Sequence, residues 1–224
     1  MKKMKVRVTF FEEVLGSSSN NPDVYSNFIA DKLKDPEKIE EEKLALGYEE
    51  PDPEDVIEKI MTVFPHDDED RPFMWDYQWK GFFKDSCRML RYISGTYCSK
   101  VTAYKKKIDG LIFPQPRKIL FIPGEGKKYV DIGKCERPLR GQTAQGERIA
   151  LAYSETVPAG TKCEFTILIM DDKLENMVKE CMDYGRLHGF SQWRNSGKGR
   201  FTWEILEEEK YDPREVASMK GEEE

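Results

Sequence analysis

Apolar and polar positions alternate from the start of the chain. Over residues 5–15, Val6, Val8 and Phe10 interleave with Arg7, Thr9 and Phe11, the period-two pattern of a half-buried strand. Gly16-Ser17-Ser18-Ser19-Asn20-Asn21-Pro22 interrupts it with turn-forming residues. Asp23 then predicts an N-cap for a helix through Lys34. Asp35-Pro36 restarts a helix that ends near Gly47, with the acid as cap and the proline at the first helical position. Asp52-Pro53 repeats the device for a short helix through Ile60. Met61-Thr62-Val63-Phe64 and Phe73-Met74-Trp75-Asp76-Tyr77 flank the acidic turn His66-Asp67-Asp68-Glu69-Asp70, which predicts a hairpin.

The period changes after Tyr77. Over 78–93, Trp79, Phe82, Phe83, Cys87, Leu90 and Ile93 recur at helical spacing, and Lys80, Lys84, Arg88 and Arg91 fall beside them as a basic ridge. Strands are predicted over 117–122, 149–156 and 162–170, the last two joined by Val157-Pro158-Ala159-Gly160. A second amphipathic helix over 174–188 directs Leu174, Met177, Val178, Cys181, Met182 and Leu187 inward. A final strand covers 200–206, and the acidic residues 207–224 read as a flexible tail.

This order predicts an α+β fold: a ferredoxin-like (RRM-like) split βαβ sheet with an acidic, mostly helical insertion after the first strand. The insertion spans about residues 20–72, within one domain over 1–206. Sheet-face RNA binding is common on this architecture, although a fold alone does not establish a function.

Charge refines the picture. The net charge of −6 argues against a generic nucleic-acid binder, but it is segregated. Residues 31–70 hold 16 Asp/Glu against 5 Lys/Arg, and residues 80–128 hold 12 Lys/Arg against 3 Asp/Glu. Local patches, not whole-chain sums, decide phosphate binding. The 5 cysteines are scattered without a CxxC pair, and there are only 2 histidines, which points away from structural zinc or a disulfide framework and towards a reducing cytoplasm. No apolar run approaches the roughly 18–20 residues of a transmembrane helix, so no membrane partner is expected.

Candidate chemistry concentrates near the C-terminus. Gly189-Phe190-Ser191-Gln192-Trp193-Arg194-Asn195-Ser196-Gly197-Lys198-Gly199-Arg200 places glycines, cations and a tryptophan between a helix and a strand. Glycine lets a backbone approach a ligand closely, while Arg and Trp grip phosphates and stack on bases. A plain helix-to-strand turn accounts for the same glycines. The run from Cys135 to Arg148, including Arg137, Arg140 and two glycines, reads as a hairpin loop with little to bury. His66 to Asp70 lacks the spacing of a calcium loop, no GxxxxGK[ST] exists, and neither His66 nor His188 suggests a triad, so no metal or cofactor is expected.

Several segments, in order, resemble the RAMP superfamily, the RNA-binding proteins of CRISPR effector complexes, and most of all their type III backbone subunit. These are the strand and Gly-Ser loop of residues 6–19 and the run Tyr77-Gln78-Trp79-Lys80-Gly81-Phe82-Phe83-Lys84-Asp85-Ser86-Cys87-Arg88. The turn Glu155-Thr156-Val157-Pro158-Ala159-Gly160-Thr161-Lys162-Cys163-Glu164-Phe165 and the glycine loop of residues 189–199 complete the set. Tyr77-Gln78-Trp79 stands where the family usually has a double serine.

The resemblance implies a single-stranded RNA (or ssDNA) binder that works with other RAMP-type subunits or copies of itself; the scarcity of histidine argues against catalysis. Lys80, Lys84, Arg88 and Arg91 would track the RNA backbone; Arg186, Trp193, Arg194, Lys198 and Arg200 would clamp it, with Gly189, Gly197 and Gly199 shaping the loop. Residues 124–148, with Arg137 and Arg140, would form the thumb-like hairpin. Two alternatives stand beside it: a RAMP-like mimic that docks on a CRISPR-type complex without touching RNA, and an endoribonuclease using Asp23 or His188. Helix-cap and helix-end roles explain those two residues equally well.

Overall fold

The computed structural model describes residues 1–19, 61–143, 146–210 and 212. Asp23, the helices expected over 20–60 and most of the tail lie outside the described residues. Alternation in the first strand sets the central layer. Strand β1 (Lys2–Phe10) buries Met4, Val6, Val8 and Phe10 and turns Lys3, Lys5, Arg7 and Thr9 the other way.

Its neighbours come from far along the chain. The sheet runs β11 (Phe201–Lys210), β1, β10 (Lys162–Ile169), β7 (Lys118–Ile122), β5 (Phe73–Trp75), with every pairing antiparallel. Strand β6 (Ile112–Gln115) takes the Ile169 end of the β10 edge, and β7 takes the Lys162 end.

The second sheet is built on β9 (Gly146–Val157), which pairs with β8 (Gly133–Thr143) along their length. Short strands β2 (Val14–Leu15), β3 (Ser18–Ser19) and β4 (Thr62–Val63) complete it in the order β2-β9-β4-β3. The hairpin expected over 124–148 therefore lies later in the chain, a two-stranded ribbon from Gly133 to Val157.

Four helices occur among the described residues: α1 (Asp76–Leu90), α2 (Tyr97–Lys100), α3 (Tyr104–Leu111) and α4 (Glu175–His188). The stripe read from the sequence holds for α1, whose Trp79, Phe82, Phe83, Cys87 and Leu90 are buried, but the helix stops there and Ile93 is exposed. In α4, Met177, Val178, Cys181 and Met182 are buried, whereas Leu187, expected inside, is 73% exposed. Trp79 is the hub of the core, with ring centroids 4.4 Å from Phe165 and 4.5 Å from Phe190. Gly185 lets α4 approach β11: a Cβ there would lie 2.1 Å from the Phe201 ring. Glu180 of α4 accepts the N–H groups of Tyr97 and Cys98, which fixes the start of α2. All five cysteines are free.

Two expectations need correction. The hairpin over 61–77 closes locally, with Phe73 N–H donating to Pro65 O and Asp67 accepting from Arg71. Its flanks then diverge: β4 joins the second sheet and β5 joins β7. Met61, Val63 and Phe64, at the end of the expected insertion, are buried. The tail does not begin at Glu207, because Glu207–Lys210 extend β11. There Glu207, Glu208 and Glu209 pair with Lys5, Lys2 and Lys3 of β1 at 3.8, 2.5 and 3.7 Å. Each exposed pair is worth little alone, but opposite charges on facing strands favour this register.

Candidate nucleic-acid interface

The outer face of β1 offers no stacking platform. Its outward residues Lys3, Lys5, Arg7 and Thr9 include no aromatic, and Arg7 is held by Glu164 at 2.8 Å and Glu204 at 3.1 Å. The chemistry gathers instead where α1, the Gly-Ser loop and the glycine loop meet.

The glycine loop is a crossing of two backbone passes. Helix α4 ends at Gly189, whose φ of 77° turns the chain. Phe190 N–H donates to Gly199 O at 2.8 Å and Gly199 N–H to Glu13 O at 2.7 Å. A Cβ on Gly189 would sit 2.3 Å from Lys198 O, and one on Gly199 2.0 Å from Phe190 O, so only glycine permits the crossing. Phe190 anchors the loop in the core, while Trp193 is half-buried at a left-handed φ of 55°. Gly197 follows at φ 82° after a short helical turn over Arg194–Ser196.

Most of the cations expected to meet phosphate already face carboxylates or aromatic rings. Lys198 reaches Glu13 at 2.7 Å and Arg200 reaches Glu12 at 2.9 Å. The hydrogen bond from Lys198 to Glu13 raises the lysine's pKa. Arg194, His188 and Arg88 converge on Asp85 at 2.5, 2.7 and 2.6 Å, and the His188 ring stacks on Tyr184. Burial pushes the Asp85 carboxyl up, but the hydrogen bonds from His188 and Arg194 outweigh it and hold it below its ordinary value. On α1, Lys84 pairs with Asp109 at 2.6 Å and Arg91 lies over the Tyr104 ring. Lys80 donates to Asp109 O and packs over Phe113, and burial lowers its pKa. The basic ridge of α1 is thus partly folded onto α3 and β6.

Two predicted residues stand apart. Arg186 is exposed on α4. The backbone of Arg140 pairs with Ile149 in the ribbon, and its side chain lies outside the described residues. Arg137 is brought to the loop: its Nη2 donates to Gln192 Oε1 at 2.6 Å and its guanidinium lies 5.4 Å from the Trp193 ring centroid.

Between these elements lies a cleft of about 250 Å³. Phe82 and Phe190 give it an apolar floor, and Ser17, Gln78, Asp85, Gln192 and Arg194 give it polar walls. Gln78 ties two walls together, accepting from Trp75 N–H at 2.9 Å and donating to Ser17 Oγ at 2.7 Å.

No protein-family model matches the sequence, and no curated protein matches it significantly. The structure has neighbours among solved ones. One is a chain of "Type III-B Cmr-beta bound to cognate target RNA", with a TM-score of 0.51 and 9% identity. The chain shares its fold with a CRISPR type III-B component. That match covers 93% of this chain and 60% of the other, so this protein spans less than two thirds of that neighbour's length. A chain of a "Type IV-B CRISPR Complex" (TM-score 0.44, 9% identity, 96% of this chain and 95% of that one) is also similar. So is Cmr6 from Pyrococcus furiosus (TM-score 0.43, 10% identity, 90% of this chain and 97% of that one).

Glu12, Glu13, Asp85 and Asp109, which organise the interface, were not singled out from the sequence. Gly81 was, as part of Lys80-Gly81. It sits inside α1, lines the cleft, and a Cβ there would meet nothing within 4 Å. Glycine inside a helix costs roughly 0.5–1 kcal/mol relative to alanine. Gly81→Ala is therefore expected to raise the melting temperature while weakening the binding of any ligand that fills the cleft, single-stranded RNA being the one to test, because the added methyl stands at the cleft wall. Thermal melts and RNA titrations of this variant decide it. Stabilisation with affinity intact would remove the cleft from the interface.

Proposed function

We propose that this protein is a RAMP-type, CRISPR-associated subunit that binds single-stranded RNA without cutting it, in company with other RAMP-type subunits or further copies of itself. One observation carries the reading. Ser17 of the Gly-Ser loop, Gln78, Gly81 and Asp85 of α1, and the glycine loop, far apart in sequence, line one cleft. The strand order β11-β1-β10-β6, antiparallel throughout, with α1 and α4 as crossovers, supports the ferredoxin-like split βαβ arrangement. Among the described residues no helix is long and apolar enough to cross a membrane.

In this reading Trp193, Arg88, Arg186 and Arg194 face the RNA. Lys80, Lys84, Arg91, Lys198 and Arg200 shape the surface and strengthen its positive field. A titration of a fluorescent 30-mer RNA at several salt concentrations tests it. Binding that weakens steeply with salt is expected, since displaced counterions drive phosphate association. Binding that is undetectable at low salt, or indifferent to salt, would sink it.

A second reading has its own support: a protein that docks on a CRISPR-type complex without holding RNA. Lys84, Arg194, Lys198 and Arg200 each have a carboxylate partner, and the chain is net acidic. Failure of the titration moves the assignment to this reading.

A further inference from the structure

Arg137 is the one charged side chain in the buried set of described residues, 8% exposed. Arg194, Lys198 and Arg200 each face a carboxylate; Arg137 has a single hydrogen bond, to the neutral amide oxygen of Gln192. Its Nε and Nη1 are buried with no partner. A guanidinium taken out of water with open donors is unfavourable unless an anion completes it. The segment that covers it is itself strained, because Ser191 and Trp193 both hold left-handed φ values, 65° and 55°, without being glycine. Gln192, which fills the one satisfied position of the fork, is also a wall of the cleft. A buried cation without a counterion, under a strained and half-exposed aromatic, at the edge of a polar cleft, is the form of an anion site closed in the absence of its ligand.

We propose that Arg137 and Trp193 form a one-nucleotide site: two oxygens of an RNA phosphodiester take the Arg137 fork, displacing Gln192, and the base stacks on the Trp193 face opposite the guanidinium. The site rests on the RNA-binding reading above and supplies its strongest single contact. Arginine suits this role because its planar fork meets two phosphate oxygens at once.

Two substitutions test it with the full chain. Arg137→Met removes the buried charge and keeps the bulk. It is expected to melt at a higher temperature than wild type without RNA, to bind a fluorescent 12-mer RNA at least about tenfold more weakly, and to show a salt slope shallower by about one. Gln192→Glu, on a half-buried position, gives Arg137 a carboxylate from within the protein. It is expected to raise the melting temperature and to compete RNA away. Arg137→Met that melts no higher than wild type and binds RNA with the same affinity and slope overturns the site while leaving the proposed function standing. If wild type binds no RNA, inorganic phosphate separates the two ideas. Phosphate that raises the melting temperature of wild type but not of Arg137→Met keeps the anion site and ends the RNA reading, and phosphate without effect on either ends both.

Discussion

Gly199→Ala is expected to lower stability by at least about 2 kcal/mol, because it strains both the backbone and a contact that cannot yield. For a chain of this size that is a fall of roughly 4–8 °C in melting temperature. Gly199 holds φ 71°, and its missing Cβ would stand 2.0 Å from Phe190 O and 2.8 Å from Phe190 N. Both atoms are backbone, so no side chain can rotate away. Relief requires the two passes of the loop to part, which breaks the hydrogen bonds to Phe190 and Glu13 and pulls Phe190 from its place against Trp79. Gly126 provides the control. Its φ is 76°, but a Cβ there would meet nothing within 4 Å, so Gly126→Ala carries only the left-handed cost of roughly 1–2 kcal/mol. Thermal melts of both variants decide the matter. Equal effects would mean that the crossing in the glycine loop is not a tight contact.

Trp193→Ala is expected to weaken RNA binding by roughly 1–3 kcal/mol, the usual worth of one base-aromatic stack, or about 5- to 150-fold in affinity. The melting temperature should hardly move. Phe190, not Trp193, is the loop's anchor in the core, and Trp193 is half-buried. Truncating a fully buried aromatic would instead cost roughly 3–5 kcal/mol of stability. Trp79, fully buried among Phe82, Phe165, Phe190 and Phe201, represents that behaviour in this protein. Parallel melts and titrations of Trp193→Ala and Trp79→Ala separate the two roles. A clear loss of melting temperature in Trp193→Ala with RNA affinity intact would make the tryptophan structural and turn attention to the docking alternative.

The elements legible in the sequence are those whose burial pattern repeats at least twice. Strand β1 shows Met4, Val6, Val8 and Phe10 on one face, and α1 and α4 show full apolar stripes. Three elements too short or too polar for periodicity were not legible. Helix α2 has four residues, β6 has four, and α3 is eight residues carrying three lysines and a glycine. The segment from Met61 to Tyr77 misled for a different reason. Its turn chemistry is local and was read correctly, with Asp67 accepting from Glu69 and Arg71. Its strands, however, take partners elsewhere: β4 lies against Ser19 and Ser154, and β5 against β7. Nothing local records such a choice.

The interface divides in the same way. The glycines, Trp193 and the cations of the loop are contiguous, so their chemistry could be read from one short run of residues. What they face could not. Lys198 meets Glu13 across 185 positions, Arg200 meets Glu12 across 188, and Arg194 meets Asp85 across 109. The sequence by itself determined where strands and helices alternate, which faces are apolar, and that one loop concentrates phosphate-gripping side chains beside glycines. The tertiary structure decided which of those cations are neutralised by distant carboxylates, and that Arg137 of β8 is buried with no carboxylate partner among the described residues. The reason is physical: backbone pattern and turn chemistry act over a few residues, whereas electrostatic pairing and desolvation depend on distances that exist only once β1, α1, β8 and the glycine loop have been brought together.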